Sequence, residues 1–249
     1  MTGEHEEHEE LSTVPGHERR RIPEATVARL PVYQRLLAEM LRSGTATVSS
    51  EVLAAAARVT AAKVRKDLSL LGSFGTRGSG YAAAFLIEEI DRQLGLDRLW
   101  PVMIAGVGNL GRALARSQGF AARNFTVAGL FDTDPAIIGQ LVDGVTVCHP
   151  DDLRTVVGDT TTAIGVITTP ASAAQRVADA MVEAGIRSIL NFAPQVLEVP
   201  PAVLLRHVDL SIELQVMSFY QSHPAAPGPS RSVPTLGPVA LEGESEPSL

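Results

Sequence analysis

Three glycines and one aspartate in the middle of the chain have the clearest chemistry. Gly106, Gly108 and Gly111 form a G-x-G-x-x-G pattern directly after the apolar run 100–105. In this pattern the first glycine permits a tight turn, the second lets the backbone approach a pyrophosphate at a helix N-terminus, and the third lets helix and strand pack closely. Asp132 follows a second apolar run and can accept hydrogen bonds from an adenosine ribose. The spacing predicts a dinucleotide site.

The residues around this pattern favour NAD(H) over NADP(H), because no Lys or Arg lies between Phe131 and Pro150 to bind a 2′-phosphate. Strands predicted at 163–168 and 187–191 should end beside the same site, since ligands of parallel sheets lie at the carboxyl ends of the strands. Thr169 is expected to cap, and Pro170 to open, a helix that Gly185 ends. The predicted cofactor-binding residues are Gly106, Val107, Gly108, Asn109, Leu110, Gly111, Asp132, Thr168, Thr169, Pro170, Asn191, Phe192, Ala193 and Pro194. The residues of the loops 168–170 and 191–194 could instead serve only to form turns.

A second group of polar side chains lies on a predicted helix near the N-terminus. Thr60 should cap this helix, which covers 61–71 and ends at Gly72. It carries Lys63 and Lys66, the only lysines of the chain. Its apolar face is predicted to consist of Ala61, Val64, Leu68 and Leu71. Cations near the N-terminal half of such a helix suit entry into a DNA major groove, where they neutralise phosphates or bind guanine edges.

Two helices before it and a glycine-rich segment after it complete the pattern. The first helix should run from Pro31 to Gly44, and the second should begin at Ser49 or Ser50 and reach Ala57. The apolar stripe of the first helix is predicted to be Val32, Leu36, Leu37, Met40 and Leu41. Residues 72–81 hold four glycines and Arg77, which predicts a hairpin wing whose arginine reaches a minor groove. The predicted DNA-binding residues are Ser49, Ser50, Lys63, Arg65, Lys66, Ser69 and Arg77. An inert or protein-binding helical subdomain is the alternative.

Charge is distributed unevenly along the 249 residues. The net charge is −7, yet residues 1–16 carry −5, residues 17–80 carry +6 and residues 81–249 carry −8. A basic stretch between acidic ones is a hint of nucleic-acid binding. The single cysteine, Cys148, excludes an internal disulfide framework and fits a reducing cytoplasm. It is predicted to be a buried strand residue, with a redox thiol as the alternative.

These patterns predict an α/β fold with an N-terminal winged helix-turn-helix domain and a C-terminal Rossmann-like NAD(P)-binding domain that ends in a swapped helix. No apolar run reaches the length of about 18 residues that spans a bilayer, and no secretory signal is expected. The apolar stretch from Ile212 to Tyr220 could be buried in its own domain, but insertion into a second copy of the chain is favoured. His5 and His8 are assigned no metal.

The patterns also predict the limits of the domains. The predicted plan is 1–20 disordered acidic tail, 21–81 winged helix, 82–99 linker helix, 100–211 Rossmann domain, 212–222 dimerisation helix and 223–249 disordered tail.

The sequence resembles the Rex family of redox-sensing bacterial transcriptional repressors between about Ile22 and Tyr220. The blocks that carry the resemblance are 22–26 (IPEAT), 64–68 (VRKDL), 75–81 (GTRGSGY), the glycine pattern, 131–135 (FDTDP) and 191–194 (NFAP). The resemblance implies a homodimer with swapped C-terminal helices that binds a palindromic operator, is released by NADH and is bound competitively by NAD⁺. It also implies that Arg35 and Asp209 help to couple the nucleotide to the DNA reader. Ser117 departs from the family where some members have an aromatic residue.

Two other functions are compatible with parts of the pattern. A NAD-dependent dehydrogenase needs a proton donor beside the nicotinamide, often His, Lys or Tyr. Residues 82–211 contain no Lys or Tyr, and only His149 and His207, which are expected in surface loops. No catalytic residue is therefore predicted. A CoA- or nucleotide-binding scaffold without a DNA role is the remaining alternative.

Overall fold

The computed structural model describes residues 22–72, 80–158 and 163–223. The chain forms two compact units, one up to Leu86 and one from Ile87 onwards. The predicted acidic tail 1–20, the wing tip with Arg77 and the predicted tail after residue 223 lie outside the described residues.

The first unit is a small helical domain with a two-stranded sheet. Its elements are α1 (Glu24–Val27), α2 (Leu30–Arg42), β1 (Thr47–Val48), α3 (Ser50–Ala57), α4 (Ala61–Leu71), β2 (Tyr81–Ala82) and the beginning of α5 (Ala83–Leu94). The caps predicted for α3 and α4 are confirmed: Ser49 Oγ accepts a hydrogen bond from the N–H of Val52, and Thr60 Oγ1 accepts one from the N–H of Lys63. Neither α1 nor β1 was predicted. β1 pairs antiparallel with β2, so the strand that leaves the glycine-rich segment pairs with the connection between α2 and α3.

The buried face of α2 differs from the predicted stripe. Leu30, Tyr33 and Leu37 are buried, whereas Val32 and Leu41 are exposed by 37% and 39%. Leu37 is buried as predicted, and Leu36 and Met40 are partly buried, so the buried face overlaps the predicted stripe but is shifted towards Leu30 and Tyr33. The reason is that Tyr33 enters the core, because its hydroxyl finds a buried hydrogen-bond acceptor in Asp67.

The second unit is a seven-stranded sheet with helices. Its further elements are β3 (Trp100–Ala105), α6 (Asn109–Ala115), α7 (Gln118–Ala121), β4 (Phe125–Phe131), β5 (Leu141–Val142), β6 (Val145–Cys148), α8 (Leu153–Val157), β7 (Ile164–Ile167), α9 (Ala171–Glu183), β8 (Ser188–Asn191), β9 (Leu204–His207) and α10 (Leu210–Ser222). The sheet order is β5-β6-β4-β3-β7-β8-β9, and every pairing except β5 with β6 is parallel. β5 and β9 were not predicted.

The strand order places the candidate site. The chain passes from β3 to β4 on one side and later returns to β7 on the other, so the connections that follow β3 and β7 diverge. Ligands of doubly wound sheets bind where the strand order reverses in this way, outside the carboxyl ends of the strands. The glycine pattern follows β3, and Thr168 follows β7, so both border this crevice.

Both faces of the sheet are apolar. Along β3, Met103 and Ala105 contribute to one buried cluster together with α8 and α9, while Val102 and Ile104 contribute to a second cluster on the other face. This alternation follows from the two-residue period of a strand. In the described part of the chain, no helix is both long and apolar enough to cross a membrane.

Candidate functional site

The glycine turn after β3 has the geometry that its three glycines predict. Gly106 has a φ of +97°, and a Cβ there would lie 2.7 Å from the carbonyl carbon of Thr168. A Cβ on Gly111 would lie 1.9 Å from the carbonyl oxygen of Gly106. A Cβ on Gly108 would meet no atom within 4 Å. The turn is therefore closed against its own helix and the loop after β7, and open at its middle glycine.

Asp132 lies beside this turn, at the end of β4. Its Oδ2 accepts a hydrogen bond of 2.7 Å from the N–H of Val107, and its Oδ1 accepts one of 3.0 Å from the N–H of Asp134. The carboxylate is thus fixed against the glycine turn by two backbone donors. Each oxygen retains a further lone pair for a ribose hydroxyl.

The loop after β7 closes the other side of the crevice. Thr168 Oγ1 donates to the carbonyl oxygen of Gly106 at 2.6 Å and so ties the two loops together. The prediction that Thr169 caps the following helix was wrong, because the N-cap of α9 is Pro170 and no side chain caps it. Thr169 Oγ1 is instead buried without a hydrogen-bond partner among the described residues. A buried hydroxyl without a partner is costly, so this atom fits a polar group of a bound ligand.

The loop after β8 forms a further side of the crevice at the carboxyl ends of the strands. Asn191 is buried, its Oδ1 accepts from the N–H of Ala193, and its Nδ2 donates to the carbonyl oxygens of Ala193 and Gln195. These bonds make Asn191 the residue that shapes the loop. Ala193 is buried as well, Phe192 is partly buried and Pro194 is exposed. The sheet therefore brings all the predicted cofactor-binding residues to the carboxyl ends of four strands, β3, β4, β7 and β8, and the connections that follow them.

In the first unit, α4 carries exposed cationic side chains. Lys63 and Lys66 are exposed on this helix, and Ser69 donates its hydroxyl to the carbonyl oxygen of Lys66. Arg65 is also half-exposed, but its guanidinium donates to Ser50 Oγ at 3.0 Å and to Glu51 at 2.9 Å. Of the predicted DNA-binding residues, Ser50 is thus buried beneath Arg65, and Arg77 lies outside the described residues.

A buried carboxylate on α4 was missed by the sequence reasoning. Asp67 is 2% exposed and accepts two hydrogen bonds of 2.7 Å from Arg29, one of 2.9 Å from Tyr33 and one of 3.0 Å from Thr26. Burial by itself would raise the pKa of Asp67, but the hydrogen bonds from Arg29, Tyr33 and Thr26 outweigh it, and the pKa is lowered. The signal in the sequence was an acid between Val64 and Leu71, on the face that must be buried.

The comparisons with known proteins agree with both units. Residues 21–69 match the family model "Putative DNA-binding protein N-terminus", and residues 97–195 match "CoA binding domain". The chain is 56% identical to the redox-sensing transcriptional repressor Rex of Streptomyces griseus subsp. griseus over 211 residues, which cover 85% of this chain and 83% of that protein. It is 55% identical to the Rex protein of Streptomyces coelicolor, with 85% and 82% covered.

The chain belongs to the Rex family.

Solved structures of a Rex-family repressor extend this likeness to the fold. The structure of the repressor RSP in complex with β-NAD⁺ and operator DNA is 35% identical, covers 82% of this chain and 94% of that chain, and has a TM-score of 0.77. The structure of RSP in complex with β-NADH is 33% identical, covers 81% and 95%, and has a TM-score of 0.73. Together with the family membership, these likenesses confirm the predicted fold class of a DNA-binding N-terminal domain before a Rossmann-like domain.

The residues to which the Rex resemblance assigns coupling lie on defined elements. Arg35 is exposed on α2. Asp209 is the N-cap of α10, where its Oδ1 accepts from the N–H and the hydroxyl of Ser211. These bonds from Ser211 lower the pKa of Asp209. Ser117, the departure from some relatives, is the N-cap of α7 without a side-chain hydrogen bond.

Cys148, His149 and His207 lie at or directly after the ends of strands. The expectation that His207 lies in a surface loop was wrong, because it ends β9 and its Nδ1 lies 3.1 Å from Asn191 Nδ2. His149 precedes a short 3-10 turn at Pro150–Asp152. Cys148 ends β6 as predicted, but it is only partly buried. Across the described ranges, no group of three or more His, Cys, Asp or Glu side chains could hold a metal ion. His5 and His8 lie outside those ranges.

Proposed function

We propose that this Rex-family protein is a redox-sensing transcriptional repressor that acts in the cytoplasm, binds palindromic operator DNA and is released from it by NADH. One observation carries the proposal. The same chain holds a glycine turn with the geometry of a dinucleotide site and, in a separate compact unit, a helix with exposed lysines. The structures of RSP with β-NAD⁺ and operator DNA, and with β-NADH, support both ligands.

The residues around the crevice fit a dinucleotide. The open space over Gly108 accommodates a pyrophosphate, which a side chain there would block. The Asp132 carboxylate, held by the N–H groups of Val107 and Asp134, would accept hydrogen bonds from the ribose hydroxyls. Thr169 Oγ1 would gain a partner on binding. We propose that NAD(H) is sensed here and not turned over, because the Rex relatives are transcriptional repressors and residues 82–211 contain no Lys or Tyr that could donate a proton to a substrate.

The DNA-binding surface would be formed by α4. Lys63 and Lys66 are exposed and would contact phosphates or guanine edges in the major groove. Arg65 would contact DNA only by exchanging its partners Ser50 and Glu51 for phosphate oxygens. Ser49, Ser69 and Arg77 remain proposed DNA contacts, and Ser50 would act by orienting Arg65.

We also propose a homodimer in which α10 of one copy covers the sheet of the other. α10 has no buried residue, and six of its apolar side chains are at least 44% exposed: Leu210, Ile212, Leu214, Met217, Phe219 and Tyr220. The same unit has an apolar groove of about 330 Å³ across the amino ends of β3, β7, β8 and β9. Two exposed apolar surfaces of this kind favour association of two copies.

Fluorescence anisotropy of a labelled palindromic operator, titrated with the protein at several NADH/NAD⁺ ratios, tests the proposed function. A ligand shifts an equilibrium only through unequal affinity for the two states, so NADH should weaken operator binding and the operator should weaken NADH binding by the same factor. Equal NADH affinities with and without operator would contradict the sensor function.

Two controls sharpen this experiment. Asp132→Ala should weaken NADH binding by about tenfold or more, through loss of the ribose hydrogen bonds, and leave the protein on the operator at NADH concentrations that release the wild type. Normal release of this variant would exclude Asp132 as the ribose ligand. Coenzyme A should neither release the operator nor compete with NADH. Competition by coenzyme A would favour the scaffold alternative.

A further inference from the structure

The candidate nucleotide loop and α10 are joined by a short row of side chains. Asn191 and His207 are cross-strand neighbours on β8 and β9, and the N–H of Val208 donates to the carbonyl oxygen of Asn191 at 2.8 Å. Two residues after His207, Asp209 caps α10. All of these residues belong to the second unit.

The orientation of the Asn191 amide is determined by the loop. Its Oδ1 accepts a 2.9 Å hydrogen bond from the N–H of Ala193, and its Nδ2 lies 2.9 Å from the carbonyl oxygen of Gln195. Exchange of the two amide atoms would bring two acceptors together at Gln195 and two donors together at Ala193. The Nδ2 group therefore faces His207.

This orientation determines which ring nitrogen of His207 accepts a hydrogen bond. Asn191 Nδ2 lies 3.1 Å from His207 Nδ1, and an amide nitrogen can only donate. In this hydrogen bond Nδ1 accepts, which places the ring proton on Nε2. That nitrogen lies 4.0 Å from Asp209 Oδ2, while Asp209 Oδ1 is occupied by the cap bonds to Ser211.

The distance between His207 and Asp209 makes this contact responsive to movement. A gap of 4.0 Å exceeds an N–H···O hydrogen bond by about 1 Å. Closing it would join the N-cap of α10 to the loop through the imidazole, and opening it further would separate them. The imidazole is partly shielded, with 36% of its side chain exposed.

We propose that His207 is a positioning residue that couples the candidate nucleotide loop to α10, through Asn191 on one side and Asp209 on the other. This inference rests on the proposed function, because it assumes that a ligand beside the loop changes the state of α10. A ligand that moves residues 191–195 moves the Asn191 amide, and the ring held by this amide then shifts relative to the α10 cap. His207 acts through its neighbours and does not itself touch the nucleotide.

Two variants each keep one half of the connection. His207→Asn places an amide oxygen where Nδ1 accepts from Asn191, but it does not reach Asp209. His207→Gln places an N–H near the position of Nε2, but it loses the acceptor for Asn191. Both variants should bind NADH alone and operator alone within about twofold of the wild type. The factor by which NADH weakens operator binding should fall at least threefold in both, from the range of about 5 to 150 that is usual for coupled sites.

His149→Asn is the matched control, because it removes another histidine of this unit, which is partly exposed and contacts Asp151. It should leave the coupling factor unchanged. If the wild type shows no coupling at all, the proposed function fails. If the wild type is coupled and both His207 variants remain equally coupled, the inference alone fails.

A measurement on the wild type tests the inference without any substitution. The ¹⁵N shifts of His207 should show the ring proton on Nε2 in the free protein, and the Nε2 signal should move when NADH binds. A ring protonated on Nδ1, or signals that NADH leaves unchanged, would overturn the proposed connection.

Discussion

The glycines of the turn after β3 have different surroundings, so substitutions can separate folding from binding. Gly108→Ala should leave the free energy of unfolding within about 1 kcal/mol of the wild type, because its Cβ meets no atom within 4 Å. The same methyl group would occupy the space proposed for the pyrophosphate and should abolish NADH binding.

Gly111→Ala should behave in the opposite way. Its Cβ would lie 1.9 Å from the carbonyl oxygen of Gly106, and a backbone atom cannot move aside cheaply. We expect a loss of about 3 kcal/mol or more in the free energy of unfolding, measured by urea denaturation without ligand. Equal stability of the two alanine variants would contradict the described packing of the turn.

Glu51 is the residue whose removal should strengthen DNA binding. It pairs with Arg65 and so holds the guanidinium away from other partners. Glu51→Gln should tighten operator binding by about two- to fivefold at low salt, because Arg65 is released and one repulsive charge is removed. Glu39→Gln is the matched control, since Glu39 is exposed on α2 and the charge change is the same. An equal gain in the control would show that net charge, and not Arg65, is responsible.

At the scale of elements, Asp67 determines how α4 is held. Its carboxylate binds Thr26 of α1, Arg29 just before α2 and Tyr33 of α2, so one side chain joins three helices. Removal of one partner of a buried ion pair leaves the other unpaired. Asp67→Ala should therefore lower the free energy of unfolding by about 3 kcal/mol, and should weaken operator binding by displacing α4.

The same carboxylate predicts a pH dependence. The folded pKa of Asp67 is below its ordinary value of 3.8, so the stabilisation is fully present above about pH 4 and is lost as the pH falls through the folded pKa. Acid unfolding of the wild type should show this loss, and Asp67→Asn should not.

A second pH dependence is expected at the alkaline end. Burial and the bond to Asp67 raise the pKa of Tyr33, so the contribution of Tyr33 to the free energy of unfolding is lost only as the pH rises above about 10. Urea denaturation at several pH values, with Tyr33→Phe as the second variant, measures both.

At the scale of the whole molecule, the exposed apolar side chains of α10 should control assembly. Leu214→Asp should give a monomer in light scattering and lose affinity for a palindromic operator, because it places a charge in the proposed interface. Gln215→Asp introduces the same charge at a polar position of α10 and should remain dimeric.

The proposed groove supplies an independent test of the same interface. Leu204 lines the groove and is 57% exposed, so Leu204→Asp should also give a monomer. A dimeric Leu204→Asp protein would show that α10 binds elsewhere, even if Leu214→Asp is monomeric.

The sequence by itself determined the elements whose signals are local. The three glycines and Asp132 predicted the nucleotide turn, and Thr60 and Gly72 predicted the limits of α4, because a cap or a tight turn depends on residues that are close in the chain. The family blocks predicted the combination of the two domains, which the Rex relatives confirm.

Only the tertiary structure decided which polar groups meet. Arg29 and Asp67 are 38 residues apart, and Asn191 and His207 are 16 apart, so neither contact has a local signal. β9 was missed because its pairing with β8 stabilises a short strand that has no alternating pattern of its own. Thr169 has the composition of a helix cap, yet the packing of the loop against Gly106 turns its hydroxyl into a buried atom without a described partner. Side chains far apart in sequence become partners only when the sheet and the helices fix their distances. For this reason the fold class could be predicted from the sequence, whereas the individual side-chain contacts within the sites could not.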